Sequence, residues 1–509
     1  MGSCGDNESQ WQNLGLHTKQ AGMQNNWWRA ATILEVSPRD FKHTPDLGLS
    51  GLTALADSLV DLVVPGLEAW LLTSVLASGS DPYGRDVRNF CDVDPRVGTQ
   101  HELRQLLGQS RARNHRVLLD VNLACTSQYH PWFQESSRSA DSAFASWYIW
   151  CDPRSDGTPP NNWLLPGGTS AWVWFPSRGQ FALHQGTTDC PRLNYHHPEV
   201  QQAMLDVLRF WCDQGVNGFR LLDSNRLFHD SSLRSNLPTV RRRMVFGANR
   251  DLYAMQMHWY DQSQPENLAF LERVRAVLDP YEAVVMGHID DVDALAMVAD
   301  YTEGDIRLHL GAGIGQLNRS WTPGQVREQV KRLERQTGDG GGAVLWGLDA
   351  VADVPVLFGH AAPDVPEHLW LLLLLALKGT VCLRHSDFAV WDTEGSRQEP
   401  SSAIPQAVRL LLQWRQRHLA VLDGRQRWMG LPEPLLGLIR ETDGEAPLVV
   451  VLNFSAEPQA LMLPVSDIQA IENPGGLGGF QGTVDANRIH LPAYGVFVGV
   501  MGLAQEQQA

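Results

Sequence analysis

The stretch GFRLLDSN, Gly218 to Asn225, decides how the chain is read. It follows an amphipathic helical run, PEVQQAMLDVLRFWCDQG (198–215), and starts an apolar run that stops at an acid. Helix, short loop and short apolar strand in that order form one repeat of a parallel α/β fold. Side chains alternate along a strand, so Leu222 and Asp223 are expected to face opposite sides.

Working outward, the same alternation recurs. AATILEVS (30–37), GLEAWLLTSV (66–75), HRVLLDVNL (115–123), EAVVMGHI (282–289), GAVLWGLD (342–349) and GTVCLRH (379–385) are further strand candidates. ELRQLLGQSRARN (102–114) and PQAVRLLLQWRQRHLAVL (405–422) have helical spacing between or after them. Repeated β-α units predict a parallel sheet closed into a (β/α)8 TIM barrel. The alternation lapses over 125–195, rich in Trp, Gly and Pro, which is expected to be a subdomain inserted after strand three. Barrel is expected over 25–124 and 196–425. A polar tail is expected over 1–24 and a C-terminal antiparallel β-sandwich over 426–509.

Composition sets outer bounds. The 509 residues carry 41 basic and 57 acidic side chains, a formal charge of −16, which argues against a nucleic-acid partner. The seven cysteines are scattered with no C-x-x-C pair and read as reduced thiols of a cytoplasmic protein. The first residues, MGSCGDNESQ, lack the apolar core of a signal peptide. The most apolar run, LWLLLLLAL (369–377), is too short to cross a bilayer and fits a buried helix, so no membrane association is expected.

Several stretches together resemble glycoside hydrolase family 13, the α-amylase superfamily, and within it the bacterial α-glucosidases and oligo-1,6-glucosidases. They include NNWWRAATILEVSPRDF, GRDVRNFCDVDPRVGT, LLDVNLACTSQYHPWF, NNWLLPGGTSAWVW and ADYTEGDIRLHL. The resemblance runs from Trp27 into the C-terminal domain. It implies retaining chemistry on α-glucosides, with a carboxylate nucleophile ending strand four, a Glu acid after strand five and a third carboxylate after strand seven.

This chain departs from that set. The family pattern G-F-R-x-D puts Leu222 at the nucleophile position and Asp223 beside it, either as a capping residue or as a displaced nucleophile. MGHID puts His288 at the acid position, as a proton donor or a polar lining group. WGLDAV keeps the third carboxylate, Asp349, but has Leu348 for a sugar-binding His. Cys125 replaces another sugar-contacting His and reads as a buried thiol, since no base is evident to activate it. Arg85 stands where an aromatic would stack on the sugar, beside the expected Asp86. Arg85 and Arg220 are expected either to hold a small anionic ligand or to pair with Asp86 and Asp349, the pairing being preferred. The calcium loop of the family is reduced to Asp46, so no metal is expected, and no cofactor. His385 and Asp387 alter the loop after strand eight. The reading is a catalytically deficient α-glucosidase-like protein, a binding or partner subunit of an active paralogue or a homo-oligomer. Two alternatives stand beside it, an altered α-glucosidase or α-glucosyltransferase and a sugar- or anion-binding sensor.

Overall fold

A computed structural model describes residues 26–41, 50–81, 84–239, 252–291, 294–303, 306–337, 344–348, 365–385, 388, 404–462, 468–485 and 488–502. Its centre is a closed barrel of eight parallel strands. In chain order these are β1 (Thr32–Val36), β2 (Ala69–Leu72), β3 (Arg116–Asn122), β4 (Gly218–Leu222), β5 (Val284–His288), β6 (Leu310–Leu317), β7 (Val344–Leu348) and β8 (Thr380–Arg384). The expected TIM barrel is therefore what forms. Seven of the strands coincide with the apolar runs quoted above. The eighth, β6, is the glycine-rich LGAGIGQL, which carries no clear strand signal.

Around the barrel pack α1 (Gly51–Asp57), α2 (Gln100–Ala112), α3 (Pro198–Asp213), α4 (Glu266–Leu278), α5 (Ala294–Tyr301), α6 (Pro323–Thr337), α7 (Glu367–Ala376) and α8 (Gln406–Arg417). Local chemistry sets their ends. Thr99 starts α2 with a reciprocal cap, its hydroxyl taking the Glu102 amide while the Glu102 carboxylate takes the Thr99 amide. His197 caps α3, whose apolar stripe of Val200, Met204, Leu205 and Leu208 turns inward. The leucine-rich α7 is buried all round, as its composition requires. The long helix expected over 405–422 breaks at His418, and a short turn, Leu419–Leu422, follows.

The barrel strands carry two kinds of side chain. On β4, Phe219 and Leu221 are buried against the helical layer. Arg220 instead reaches across the barrel interior to Glu35 on β1. Below that polar level the interior is closed by Ile33, Leu71, Leu118, Met286, Leu310 and Leu345. Between β3 and α3 the chain forms an antiparallel sheet from Trp150–Cys151, Trp172–Phe175, Gln180–Gln185 and Thr187–Pro191, around Trp163 and Trp172. The last part is a pair of antiparallel sheets of five and three strands enclosing Ile439, Val449, Ile489 and Phe497. Among the described residues no helix is long and apolar enough to cross a membrane.

Gly218 is needed where β4 meets β5. A Cβ there would lie 2.2 Å from the Val284 carbonyl oxygen, a backbone atom that cannot move aside. Gly218→Ala is expected to lose about 1–3 kcal/mol of stability in chemical denaturation through overpacking. Gly430→Ala, with nothing near its Cβ position, is expected to stay within about 0.5 kcal/mol of the parent.

Candidate active site

A cavity of about 330 Å³ opens at the C-terminal mouth of the barrel. Leu222, Asp223 and His288 line it, together with Asn122, Asp81, Arg85, Cys190, Arg226 and Asp290. Barrel enzymes carry their chemistry at this end.

Leu222 is the last residue of β4, and its side chain faces the cavity. Asp223 does so too, which corrects the expectation that it turns away. The strand has ended, and Asp223 takes a left-handed backbone with φ 50°, so pleat alternation no longer applies to it. Asp residues tolerate that conformation better than most. One carboxylate oxygen accepts a 3.3 Å hydrogen bond from Arg226. The following turn is fastened to β5, where the Ser224 amide and hydroxyl both donate to the His288 carbonyl at 3.1 and 2.7 Å.

His288 ends β5 and is partly buried against β6. A Cβ on Gly313, whose φ is +86°, would come within 2.7 Å of the imidazole. Gly313 thus makes room for this ring. Burial lowers the pKa of His288 below its usual value, outweighing the opposite pull of Asp223 and Asp290. The ring is neutral at pH 7.

Both arginines are paired, Arg85 with a partner other than the expected Asp86, while the expected partner of Arg220, Asp349, lies outside the described residues. Arg220 makes a two-pronged contact with Asp120, both arms at 2.6 Å, and reaches Glu35 at 2.6 Å. Asp120 is its register neighbour on β3, so the pair forms wherever both side chains face inward. Burial works against the charge of Arg220, and the two carboxylates outweigh it, holding the guanidinium above its usual range. Arg85 pairs with Asp81 at 2.7 Å rather than with Asp86. Asp86 is fully buried and accepts amides of Gly79, Ser80 and Asp81 and the Ser127 hydroxyl, a loop-fastening role. Asp349, Asp46 and Asp387 lie outside the described residues.

Cys125 is fully buried. Its thiol is held well above the usual range, first by hydrogen bonding with the Cys190 thiol and then by burial. That protonated state fits a packing role rather than a nucleophile. Cys190 is the one of the two that lines the cavity. His385 is buried against Phe41 at 5.3 Å between ring centres. Leu348 belongs to the apolar core with Trp346.

Sequence reasoning missed Arg226 and Asp290. Arg226 is buried and gathers Asp223, Asp290 at 2.7 Å, the Tyr253 hydroxyl at 2.8 Å and Gln262 at 2.8 Å. Its one sequence signal was an arginine three residues after Asp223, in a turn.

The chain is thus a closed (β/α)8 barrel with an inserted sheet, a two-sheet C-terminal domain and a polar cavity at its mouth. Residues 35–307 match the family described as alpha amylase, catalytic domain. A probable alpha-glucosidase of Rhizobium meliloti (strain 1021) is 32% identical over 541 residues, covering 93% of this chain and 96% of that protein. An oligo-1,6-glucosidase of Heyndrickxia coagulans is 34% identical over 195 residues, 38% of this chain and 35% of its own length. Among solved structures, an alpha-glucosyl transfer enzyme, XgtA, superposes with a TM-score of 0.84 at 32% identity, over 94% of this chain and 99% of that one. The chain belongs to the α-amylase family, glycoside hydrolase family 13, among homologues of α-glucosidase and glucosyltransferase type.

The depressed pKa of His288 has a definite sign. Below pH 6.5 the unfolded chain takes up this proton more readily than the folded one, so the contribution of His288 to stability falls as pH drops through and below 6.5. In an NMR titration the His288 ring signal, assigned by its loss in His288→Gln, is expected to show a midpoint below 6.5.

Proposed function

We propose that this protein is a catalytically deficient member of its family, which binds a small neutral ligand at the barrel mouth without hydrolysing it. In this reading it serves as a binding or partner subunit, of an active glucosidase-like paralogue or of its own oligomer. The observation that carries the proposal is Leu222 on the cavity side of β4. The resemblance to family sequences puts the nucleophile there. An alkyl group can neither attack an anomeric carbon nor stabilise the cation that develops on it, and nucleophile removal costs about 10⁴–10⁶ in rate.

Two further features support it. Arg220, which the family resemblance pairs with the nucleophile, has its guanidinium occupied by Asp120 and Glu35. His288, at the acid position, is neutral near pH 7, and a general acid must carry its proton at the working pH. The ligand class follows from charge. Arg85 is taken by Asp81, and Arg226 by Asp223 and Asp290. With both cavity arginines paired, a neutral polyol such as an α-glucoside fits better than a small anion.

One observation favours a second reading, an altered α-glucosidase or α-glucosyltransferase. Asp223 and His288 line the same cavity. Purified protein incubated with aryl α-glucosides and with sucrose separates the two. No turnover above a mock preparation is expected, while thermal shift with neutral sugars is expected to raise the apparent melting temperature. Turnover that disappears in Asp223→Ala or His288→Ala would establish the second reading. For the subunit role, purification from the native host is expected to bring down a family paralogue or a homo-oligomer; a lone monomer contradicts it.

A further inference from the structure

We infer that His258 is a protonation latch behind the wall of the barrel mouth. With a proton on each ring nitrogen it clamps the turn from Tyr253 to Gln262 against Arg226, and loss of one proton opens the clamp.

Both contacts of the ring are with oxygen. His258 Nδ1 lies 2.8 Å from Asp261 Oδ2, and Nε2 lies 3.0 Å from the Tyr253 carbonyl oxygen. A carbonyl and a carboxylate accept hydrogen bonds and do not donate them, so each contact needs a proton on nitrogen. A neutral imidazole has one N–H and sets a lone pair against oxygen at the other contact. The imidazolium satisfies both. The ring is 5% exposed and stacks on the Tyr253 ring, with centres 3.8 Å apart, so little water reaches the two contacts.

The clamped turn reaches the mouth at both its ends. The Tyr253 hydroxyl and the Gln262 side-chain oxygen each accept from Arg226 at 2.8 Å. Arg226 lines the mouth and donates to Asp223 at 3.3 Å and to Asp290 at 2.7 Å. His258 therefore fastens the turn that holds Arg226, and Arg226 holds the two acids from the ends of β4 and β5.

The charges around the ring set the direction of the switch. Asp261 favours the imidazolium, and Arg226 opposes it while being offset by Asp223 and Asp290. Behind Asp261, Arg192 donates to the Asp261 carbonyl at 2.7 Å. Asp291 accepts from Gln262 at 3.0 Å, and Asp230 and Arg234 pair with each other beside Tyr260. Burial works against the charged ring, and the hydrogen bond and charge of Asp261 outweigh it, so the pKa of His258 lies above its usual value of 6.5. Stability from the clamp is then fully present below pH 6.5 and lost as pH rises through the raised pKa. The Nδ1 proton faces a charged partner and the Nε2 proton a neutral one, so the Nε2 proton leaves first. The bond that opens is the one to Tyr253.

The latch needs no ligand and holds whether the mouth binds or cleaves, so its failure leaves the binding proposal untouched. The full chain with ¹⁵N-labelled histidine tests it by NMR, the His258 ring signals being assigned by their loss in His258→Gln. Both ring nitrogens are expected to carry protons at pH 6.5, with a midpoint above that value. Backbone hydrogen exchange over 252–262, corrected for the intrinsic effect of pH, is expected to quicken about tenfold across the midpoint, the equivalent of one hydrogen bond to a charged group. The same segment in His258→Gln is expected to show no such step. A midpoint at or below 6.5, or an identical step in His258→Gln, would overturn the inference. If that variant does not fold, Asp261→Asn identifies the ring instead: its midpoint is expected to move to lower pH, and a full set of unmoved histidine midpoints contradicts the latch.

Discussion

The ion cluster of Arg220, Asp120 and Glu35 sets the geometry of the barrel mouth. It joins β4 to its neighbour β3 and, across the interior, to β1. Removing charges from water is costly, and such a cluster is stable only when geometry and hydrogen bonding are good. Here the Asp120 contact is two-pronged and the Glu35 contact equally short. Below it the barrel is apolar, and above it the cavity begins. The cluster therefore ties together β1, β3 and β4, and, two residues further along β3 and β4, Asn122 and Leu222 line the cavity.

Above that cluster, small backbone devices decide which side chains meet. The left-handed turn at Asp223 swings a carboxylate into the cavity that strand geometry would have sent elsewhere. Ser224 clips that turn to the end of β5. Gly313 yields space to His288. Arg226 then collects Asp223 and Asp290 from two different strand ends. The result is a polar cup with acidic groups and paired cations around Leu222, the alkyl side chain on which the proposed binding role rests.

Much of the fold was legible because most barrel strands are apolar runs bounded by turn residues, as in HRVLLDVNL and GTVCLRH. β6 was not, because LGAGIGQL is rich in glycine, which weakens the strand signal, and one of these glycines, Gly313, leaves space for the imidazole of His288. At the site, Leu222 and His288 were singled out by the family resemblance, and both line the mouth. The orientation of Asp223 was not legible, since no glycine announces the positive φ. The partners of Arg220 carried a signal that went unread, namely single acids, Glu35 and Asp120, inside otherwise apolar strands. Arg226 and Asp290 become neighbours only when β4 and β5 are laid side by side, which no local pattern states.

The proposal turns on whether, with Leu222 at the position that the family resemblance gives to the nucleophile, Asp223 takes over attack on an anomeric carbon; the proposed binding role requires that it does not. Incubation with an activated fluoro-α-glucosyl fluoride, followed by intact-mass spectrometry, tests it most directly, because a retaining nucleophile accumulates a covalent glycosyl ester. The account predicts an unmodified mass for this chain beside a labelled active α-glucosidase control. A mass gain of one glycosyl unit, mapped to Asp223, would contradict it.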